Sequence, residues 1–392
     1  MSEPVHSQEP QKTYTPAQNN RHRWITFSFI ALFLLLGLAY LVYWFWWGQF
    51  SESTDDAYVN GNMIMLTPQE EGIIIRILAD NTQLVEPGQL VLELDPHDFE
   101  IAFEERKADL ANTVRQVAQM FIKVDELEAK LETQKGELLK ANLDYWHRQP
   151  LVLDGSVSKE EFEHSQIALF VAYATLREIE NELKAAKAEV EKTRIETHPL
   201  VEEAKARVKK AFLSLHRCKV LSPVRGIVTL RKAQVGQKVL ANDSLMAIVP
   251  VDEIWVDANF REVSLKNIRI GQKVKLVADM YGGDIKYHGR VVGLNPGTGS
   301  VFSILPPQNA TGNWIKIIQR IPVKISFDPE EIKQYPLVLG LSMTVSVDTH
   351  KRSGLRLPEI AQVQPIYCTD VYSDELNGID EIIDGIVRAN RP

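Results

Sequence analysis

Cysteine is scarce in this sequence: Cys218 and Cys368 are the only two, too few for a disulfide framework; the sequence leaves open whether they pair, and two unpaired thiols is the reading favoured. The nine histidines are scattered, and none falls into an HExxH or other metal-binding spacing. His216 and Cys218 lie two apart, but no second pair completes a zinc site. Asp55 and Asp56 stand without a His or Cys partner, so they read as part of a solvated linker. The glycine-rich GTGS at Gly297–Ser300 does not join a strand to a helix, which argues against a phosphate loop and for a hairpin loop. No catalytic, metal or cofactor residue is assigned, and the chain is not read as an enzyme. A net charge of −8, with no Lys/Arg cluster interleaved with aromatics, argues against nucleic acid.

Long apolar runs are also rare, with one exception. Between Trp24 and Trp47 no residue is charged, and these 24 residues would span roughly 36 Å as a helix, enough to cross a bilayer. Trp24 at one end and Trp44, Trp46 and Trp47 at the other are candidate interfacial anchors. The run is too long for a signal peptide and no small-residue cleavage site follows it. Lys12, Arg21 and Arg23 precede it, whereas Glu52, Asp55 and Asp56 follow and the next basic residue is Arg76. The positive-inside rule then leaves residues 1–23 as a polar cytoplasmic tail and places the bulk of the chain outside.

Two stretches repeat. GIIIRILADNTQLVEPGQLVLELD (Gly72–Asp95) overlays GIVTLRKAQVGQKVLANDSLMAIV (Gly226–Val249) without a gap, matching Gly72 with Gly226, Gln83 with Gln237 and Val85 with Val239. Self-similarity of this kind predicts two copies of one supersecondary unit, each too small to bury a face alone. They resemble the halves of biotinyl/lipoyl carrier domains, with the lysine-bearing hairpin tip of such carriers replaced by an insertion.

That insertion, residues 96–218, has heptad periodicity. Leu110, Val117, Val124, Leu131, Leu138 and Tyr145 recur every seventh residue, and Phe162, Leu169, Leu176, Leu183 and Val190 do so on the return. Ser165, Ala172, Ile179, Ala186 and Thr193 fill the second seam. The pattern predicts an antiparallel coiled-coil hairpin with arms of roughly 75 Å. Asp95-Pro96 should open the first arm, and Pro199 should kink or break the second. The turn falls at Leu153–Val157, and Ser158 with Glu161 forms a capping box.

Beyond the second half-repeat the pattern stays β. EIWVDANF (253–260), KVKLVAD (273–279), HGRVVGL (288–294), IPVKISF (321–327) and MTVSVDT (343–349) read as short strands, which suggests a small β-barrel. Asp380–Ala389 reads as a short helix near the end of the chain. The fold class is therefore mixed β plus α-helical coiled coil. Its expected divisions are a tail (1–23), a transmembrane helix (24–47), a linker with a first strand (48–61), a split lipoyl-like domain (62–95 and 219–250), the hairpin (96–218), a β-barrel (251–350) and a C-terminal tail (351–392).

This order of parts resembles the membrane fusion protein (HlyD) family of periplasmic adaptors. TDDAYVNG (54–61), WVDANFRE (255–262), GTGSVFSILPPQNATGNWIKIIQRIPVKI (297–325) and IIDGIVRAN (382–390) look most like its EmrA branch. The resemblance implies an adaptor in a multidrug efflux pump that joins an inner-membrane major facilitator drug:proton antiporter to a TolC-like outer-membrane channel. A homo-oligomer, trimer or hexamer, follows from the need for a ring of hairpins. It further implies that the tip meets the channel through an Arg, a Leu and a Ser. Aligned on Ser158, the Leu position is Leu151, while the Arg position falls on His147 with Arg148 one residue on, a departure from the family pattern. Capping alone also explains Ser158. An adaptor of type I protein secretion and a structural envelope coiled-coil protein are the rival readings.

Overall fold

The computed structural model describes residues 20–46, 48–298, 301, 318–359 and 363–391. Trp47, most of the 297–325 motif and, within it, Asn309-Ala310-Thr311, which spells a glycosylation sequon, lie outside them. In chain order the elements open with α1 (Asn20–Trp46), β1 (Ser51–Gly61), β2 (Ile64–Leu66), β3 (Gly72–Ile77), β4 (Leu84–Val85) and β5 (Leu90–Leu94). Then come α2 (His97–Leu153), α3 (Lys159–Val190), α4 (Pro199–His216), β6 (Lys219–Leu221), β7 (Gly226–Thr229), β8 (Lys238–Val239) and β9 (Met246–Val249). β10 (Ile254–Arg261), β11 (Lys273–Ala278), β12 (Tyr287–Leu294), β13 (Arg320–Phe327), α5 (Pro329–Gln334), β14 (Ser342–Asp348) and α6 (Ile379–Asn390) complete the chain. Two compact units result: one of the described residues up to Asn62 with those of Val251–Gln364, the other of Met63–Pro250 with those from Pro365 onward.

In the second unit the half-repeats exchange strands. One four-stranded sheet runs β2-β9-β7-β4 and the other β6-β5-β3-β8. Gly72 pairs with Val239 across β3–β8, and Gly226 pairs with Val85 across β4–β7, so the matched residues of the two copies pair reciprocally. The Ile74 amide donates to the Gln237 carbonyl at 2.9 Å, and the Val228 amide donates to the equivalent Gln83 carbonyl at 2.9 Å. Neither half has a complete sheet without the other, which explains why both must be present for a core. Ile74, Val85, Leu92, Leu94, Val239, Met246 and Ile248 are buried in it.

The two matched glycines are not equivalent. A Cβ on Gly226 would sit 2.5 Å from the Val249 carbonyl oxygen, whereas one on Gly72 would meet the Leu94 Cβ at 3.4 Å, ordinary contact. Gly226→Ala should therefore cost about 1–3 kcal/mol by overpacking, and Gly72→Ala much less. Denaturant midpoints of the two variants check this, and equal midpoints would contradict the exchanged-strand packing.

The insertion leaves and returns at one place, where the Leu94 amide donates to the Cys218 carbonyl at 2.8 Å. Cys218 is buried and its thiol is pushed up to about 12, chiefly by loss of water, so it is an inert core group; Cys368 is exposed and also free. The helix α2 does not start as the Asp95-Pro96 pair suggests: Pro96 precedes the first helical residue rather than occupying it. The Asp95 carboxylate still satisfies a first-turn donor, accepting the His97 amide at 3.2 Å.

With 57 residues, α2 is about 85 Å long. Its return partner is not continuous. α3 ends at Val190, Lys192 takes a positive φ of 62°, and α4 opens at Pro199 after a short 3₁₀ turn. The buried His198 caps α4, its Nδ1 accepting the Leu200 amide at 3.3 Å, while its Nε2 lies 3.1 Å from the Glu189 carbonyl. Thr193, expected in the seam, lies in this break and its hydroxyl donates to the Val190 carbonyl at 2.8 Å.

Residues 351–392 are not simply a tail. α6 sets Ile379, Ile383 and Val387, one face at four-residue spacing, into a cluster with Phe103, Leu110, Val114 and Val117 of α2 and Val201, Ala204 and Val208 of α4. Lys209 pairs with Asp380 at 2.7 Å, and the Arg115 Nε donates to the Asn390 Oδ1 at 2.9 Å. The base of the hairpin is a three-helix bundle.

In the first unit a closed barrel runs β1-β10-β13-β12-β11-β14. The five strands read from the sequence are all present, but the sixth is β1, which the sequence reading gave as a first strand with the linker and left outside the barrel. β1 pairs with β10 on one edge and β14 on the other, closing the sheet. Thr54, Ala57 and Val59 point inward, and a register shift between Thr54 and Ala57 breaks the two-residue period that would have marked the strand. Asp56 is accordingly part of the barrel wall: Arg320 pairs with it at 2.9 Å and the Asn259 Nδ2 donates to it at 3.1 Å. α1 leads into this barrel and is the one helix among the described residues long and apolar enough to cross a membrane.

Candidate functional site: the hairpin tip

α2 ends because Gly155 takes a φ of +79°, a conformation that costs other residues more. The Leu151 carbonyl accepts the amides of Ser156 at 3.0 Å and Val157 at 3.3 Å, and the Asp154 Oδ1 accepts the Ser156 amide at 3.1 Å. Ser158 then opens α3 with both halves of the capping box: its Oγ accepts the Glu161 amide at 3.1 Å, and its own amide donates to the Glu161 Oε2 at 3.2 Å. The Ser158 hydroxyl is also 3.1 Å from that carboxylate oxygen, to which it donates. The turn is held by backbone and local polar groups, which leaves its apolar side chains unused.

Those side chains face outward. Leu151 is 39% exposed and Leu153 is 90% exposed. Just below, Tyr145 of α2 stacks on Phe162 of α3 with centroids 5.4 Å apart, so the two arms are clamped beneath the tip. Of the four residues expected at the tip, His147 is exposed, and Arg148 is half-buried in the seam, its Nη1 donating to the Glu161 carbonyl at 3.4 Å. Leu151 and Ser158 come together at the turn. Ser158 holds the turn through its capping bonds and is itself exposed, and Leu151 presents apolar surface beside it. Leu153 and the exposed Trp146 were not singled out from the sequence. Their signal was available, because large apolar residues beside a Gly-containing turn have no seam position to fill.

Trp24, Trp44 and Trp46 are exposed on α1, as a lipid-facing helix requires. Among the described residues no group of three or more His, Cys, Asp or Glu side chains could hold a metal ion.

An anchor helix, a strand-exchanged split domain, an inserted hairpin with a bare apolar tip and a closed barrel together define a membrane fusion adaptor. Residues 97–218 match the family of the EMRA alpha-helical hairpin domain. The multidrug export protein EmrA of Escherichia coli strain K12 is 43% identical over 349 residues, spanning 89% of this chain and 90% of that protein. EmrA of Haemophilus influenzae is 38% identical over 362 residues, 92% of this chain and 93% of that one. The fatty acid resistance protein FarA of Neisseria gonorrhoeae is 38% identical over 347 residues, with coverages of 86% and 85%. A solved structure of the periplasmic adaptor EmrA shares 21% identity and a TM-score of 0.38, over 76% of this chain and 99% of that one. The chain belongs to the EmrA family of membrane fusion adaptors of multidrug efflux.

Proposed function

We propose that this chain is the periplasmic adaptor of a tripartite multidrug efflux pump. α1 holds it in the inner membrane beside a major facilitator drug:proton antiporter, with residues 1–23 in the cytoplasm and the rest in the periplasm. The hairpin reaches a TolC-like outer-membrane channel, which it meets through Leu151 and the neighbouring Leu153, with His147 and Arg148 beneath. A trimer or hexamer supplies the ring of hairpins a channel needs. The observation that carries this reading is the bare apolar tip at the end of a rod of about 85 Å, a surface with no use inside the chain. Charge asymmetry around α1 supports the topology, with Arg21 and Arg23 before it and Glu52, Asp55 and Asp56 after it. Exposed Leu139, Leu143 and Trp146 on α2 and Phe170 and Tyr173 on α3 support side-by-side packing of hairpins.

Deleting this chain while leaving its host's transporter and channel intact tests the proposal. Susceptibility to several unrelated drugs should rise severalfold and return to its former level when the chain is restored. Unchanged susceptibility together with loss of a secreted protein would instead support the type I secretion reading.

A further inference from the structure

The barrel rim next to α1 carries cations without matching acids. The Arg352 Nη2 donates to the Gln49 carbonyl at 3.4 Å, and its guanidinium lies 5.3 Å from the centre of the Phe50 ring. The Gln49 Nε2 in turn donates to the Phe45 carbonyl in the last turn of α1 at 2.7 Å. Arg269 and Arg356 converge on one atom: the Lys266 carbonyl accepts from the Arg269 Nη1 at 2.8 Å and from the Arg356 Nη2 at 3.3 Å. Arg269 also donates to the Ile268 carbonyl at 2.7 Å, and the Arg352 Nε donates to the Thr349 carbonyl at 3.2 Å. Every hydrogen bond these three guanidinium groups make, among the described residues, ends on a neutral backbone oxygen. Two carboxylates on the same rim are engaged elsewhere: Glu52 accepts from the Asn267 Nδ2 at 2.9 Å, and Asp348 from the His350 amide at 3.0 Å. Partial burial, with Arg356 and Arg352 nearby, holds Arg269 below its ordinary pKa, the sign of a cation cluster short of an anion.

Position says which anion. Gln49 is three residues beyond Trp46, at most about 11 Å of chain. The headgroup layer on each side of a bilayer is roughly 5–7 Å deep, so Arg352 stands at headgroup level when α1 spans the membrane. Arginine guanidinium suits phosphate, to which it can make paired charge-assisted bonds. We propose that Arg269, Arg352 and Arg356 clasp the phosphate of an anionic phospholipid headgroup, seating the barrel on the inner-membrane surface. The proposal rests on the anchored reading given above, and it adds a lipid-selective contact that a bare transmembrane helix would lack.

The test uses the full chain reconstituted in nanodiscs of equal phosphatidylglycerol and phosphatidylcholine, with retained lipids read by native mass spectrometry. The wild type should retain phosphatidylglycerol preferentially. Arg269→Gln/Arg352→Gln/Arg356→Gln should lose that preference, by about fivefold for each arginine removed. Lys130→Gln/Lys135→Gln/Lys140→Gln, on the rod, should keep it. Should the triple variant fail to fold by circular dichroism, Arg356→Gln alone, an exposed side chain with one carbonyl bond, should still lower the preference about fivefold. Co-flotation with the bilayer reports anchorage separately, so a chain that inserts but shows no lipid preference overturns this inference and leaves the anchor standing. Wild-type selectivity in the folded arginine variants would also overturn it. So would a preference that arises only when the transporter is added, which would assign the rim to an acidic protein partner.

Discussion

Leu151→Asp should abolish drug resistance while leaving the protein folded and abundant. The side chain is 39% exposed and the structural work of this residue is done by its backbone carbonyl, which holds the Ser156 and Val157 amides. An aspartate there keeps those bonds and adds a charge to the surface offered to the channel. Burying an unpaired charge in an apolar contact costs several kcal/mol, enough to lower affinity by more than a hundredfold. Leu153→Asp should do the same, since 90% of that side chain is exposed and nothing inside the chain needs it. Ala129→Glu, on the exposed face of the mid-rod, should change nothing. Gln134 is unsuited as that control because its Nε2 reaches the Ala172 carbonyl across the seam at 3.5 Å. Ser158→Asp is a poorer probe of docking than capping rank suggests, because it would set a second carboxylate against the Glu161 Oε2, now 3.1 Å from the serine hydroxyl. Drug susceptibility in a strain lacking the native adaptor, with protein level measured alongside, decides the matter. Full resistance from well-expressed Leu151→Asp and Leu153→Asp variants would remove the tip from the docking surface.

The second large effect is expected at Ile383. It is 2% exposed, between α2 and α4, and aspartate there would bury a charge in an apolar cluster. The base bundle should open and the protein should be lost to proteolysis. Ile383→Ala should cost about 2–5 kcal/mol by transfer and cavity, whereas Ile382→Ala, on the 40% exposed face, should stay within about 0.5 kcal/mol. Thermal unfolding and cellular abundance of the three variants measure this. Equal stability of Ile383→Ala and Ile382→Ala would mean that α6 does not hold the base.

What was legible in the sequence was local pattern, and what was not was partnership. The heptads placed Leu110 and Val117 in a seam, and the structure buries both. The capping box at Ser158 and Glu161 could be read because capping depends on residues three apart. The break at 191–198 could not be placed from Pro199 alone, since Thr193 continues the heptad count while Lys192 leaves the helix with a positive φ. Ile379, Ile383 and Val387 give α6 an obvious apolar face, but a face does not name what covers it. β1 was read as a strand but not as part of the barrel: its inward residues are Thr54, Ala57 and Val59, two of them small or polar, and the bulge between the first two hides the alternation that would have marked a barrel wall. At the tip, the resemblance led to Leu151 and Ser158 but not to Leu153, whose signal lay in its place beside the Gly155 turn and not in a family position.

The adaptor account makes its most direct commitment at Leu153. A photo-crosslinking amino acid placed there in the full chain, and activated in living cells that carry transporter and channel, should yield one major adduct. Mass spectrometry should identify the partner in that adduct as the outer-membrane channel protein, and the same probe at Ala129 should not capture it. Adducts from Leu153 with inner-membrane or soluble periplasmic proteins alone, in cells where the pump is active, would contradict the bridge.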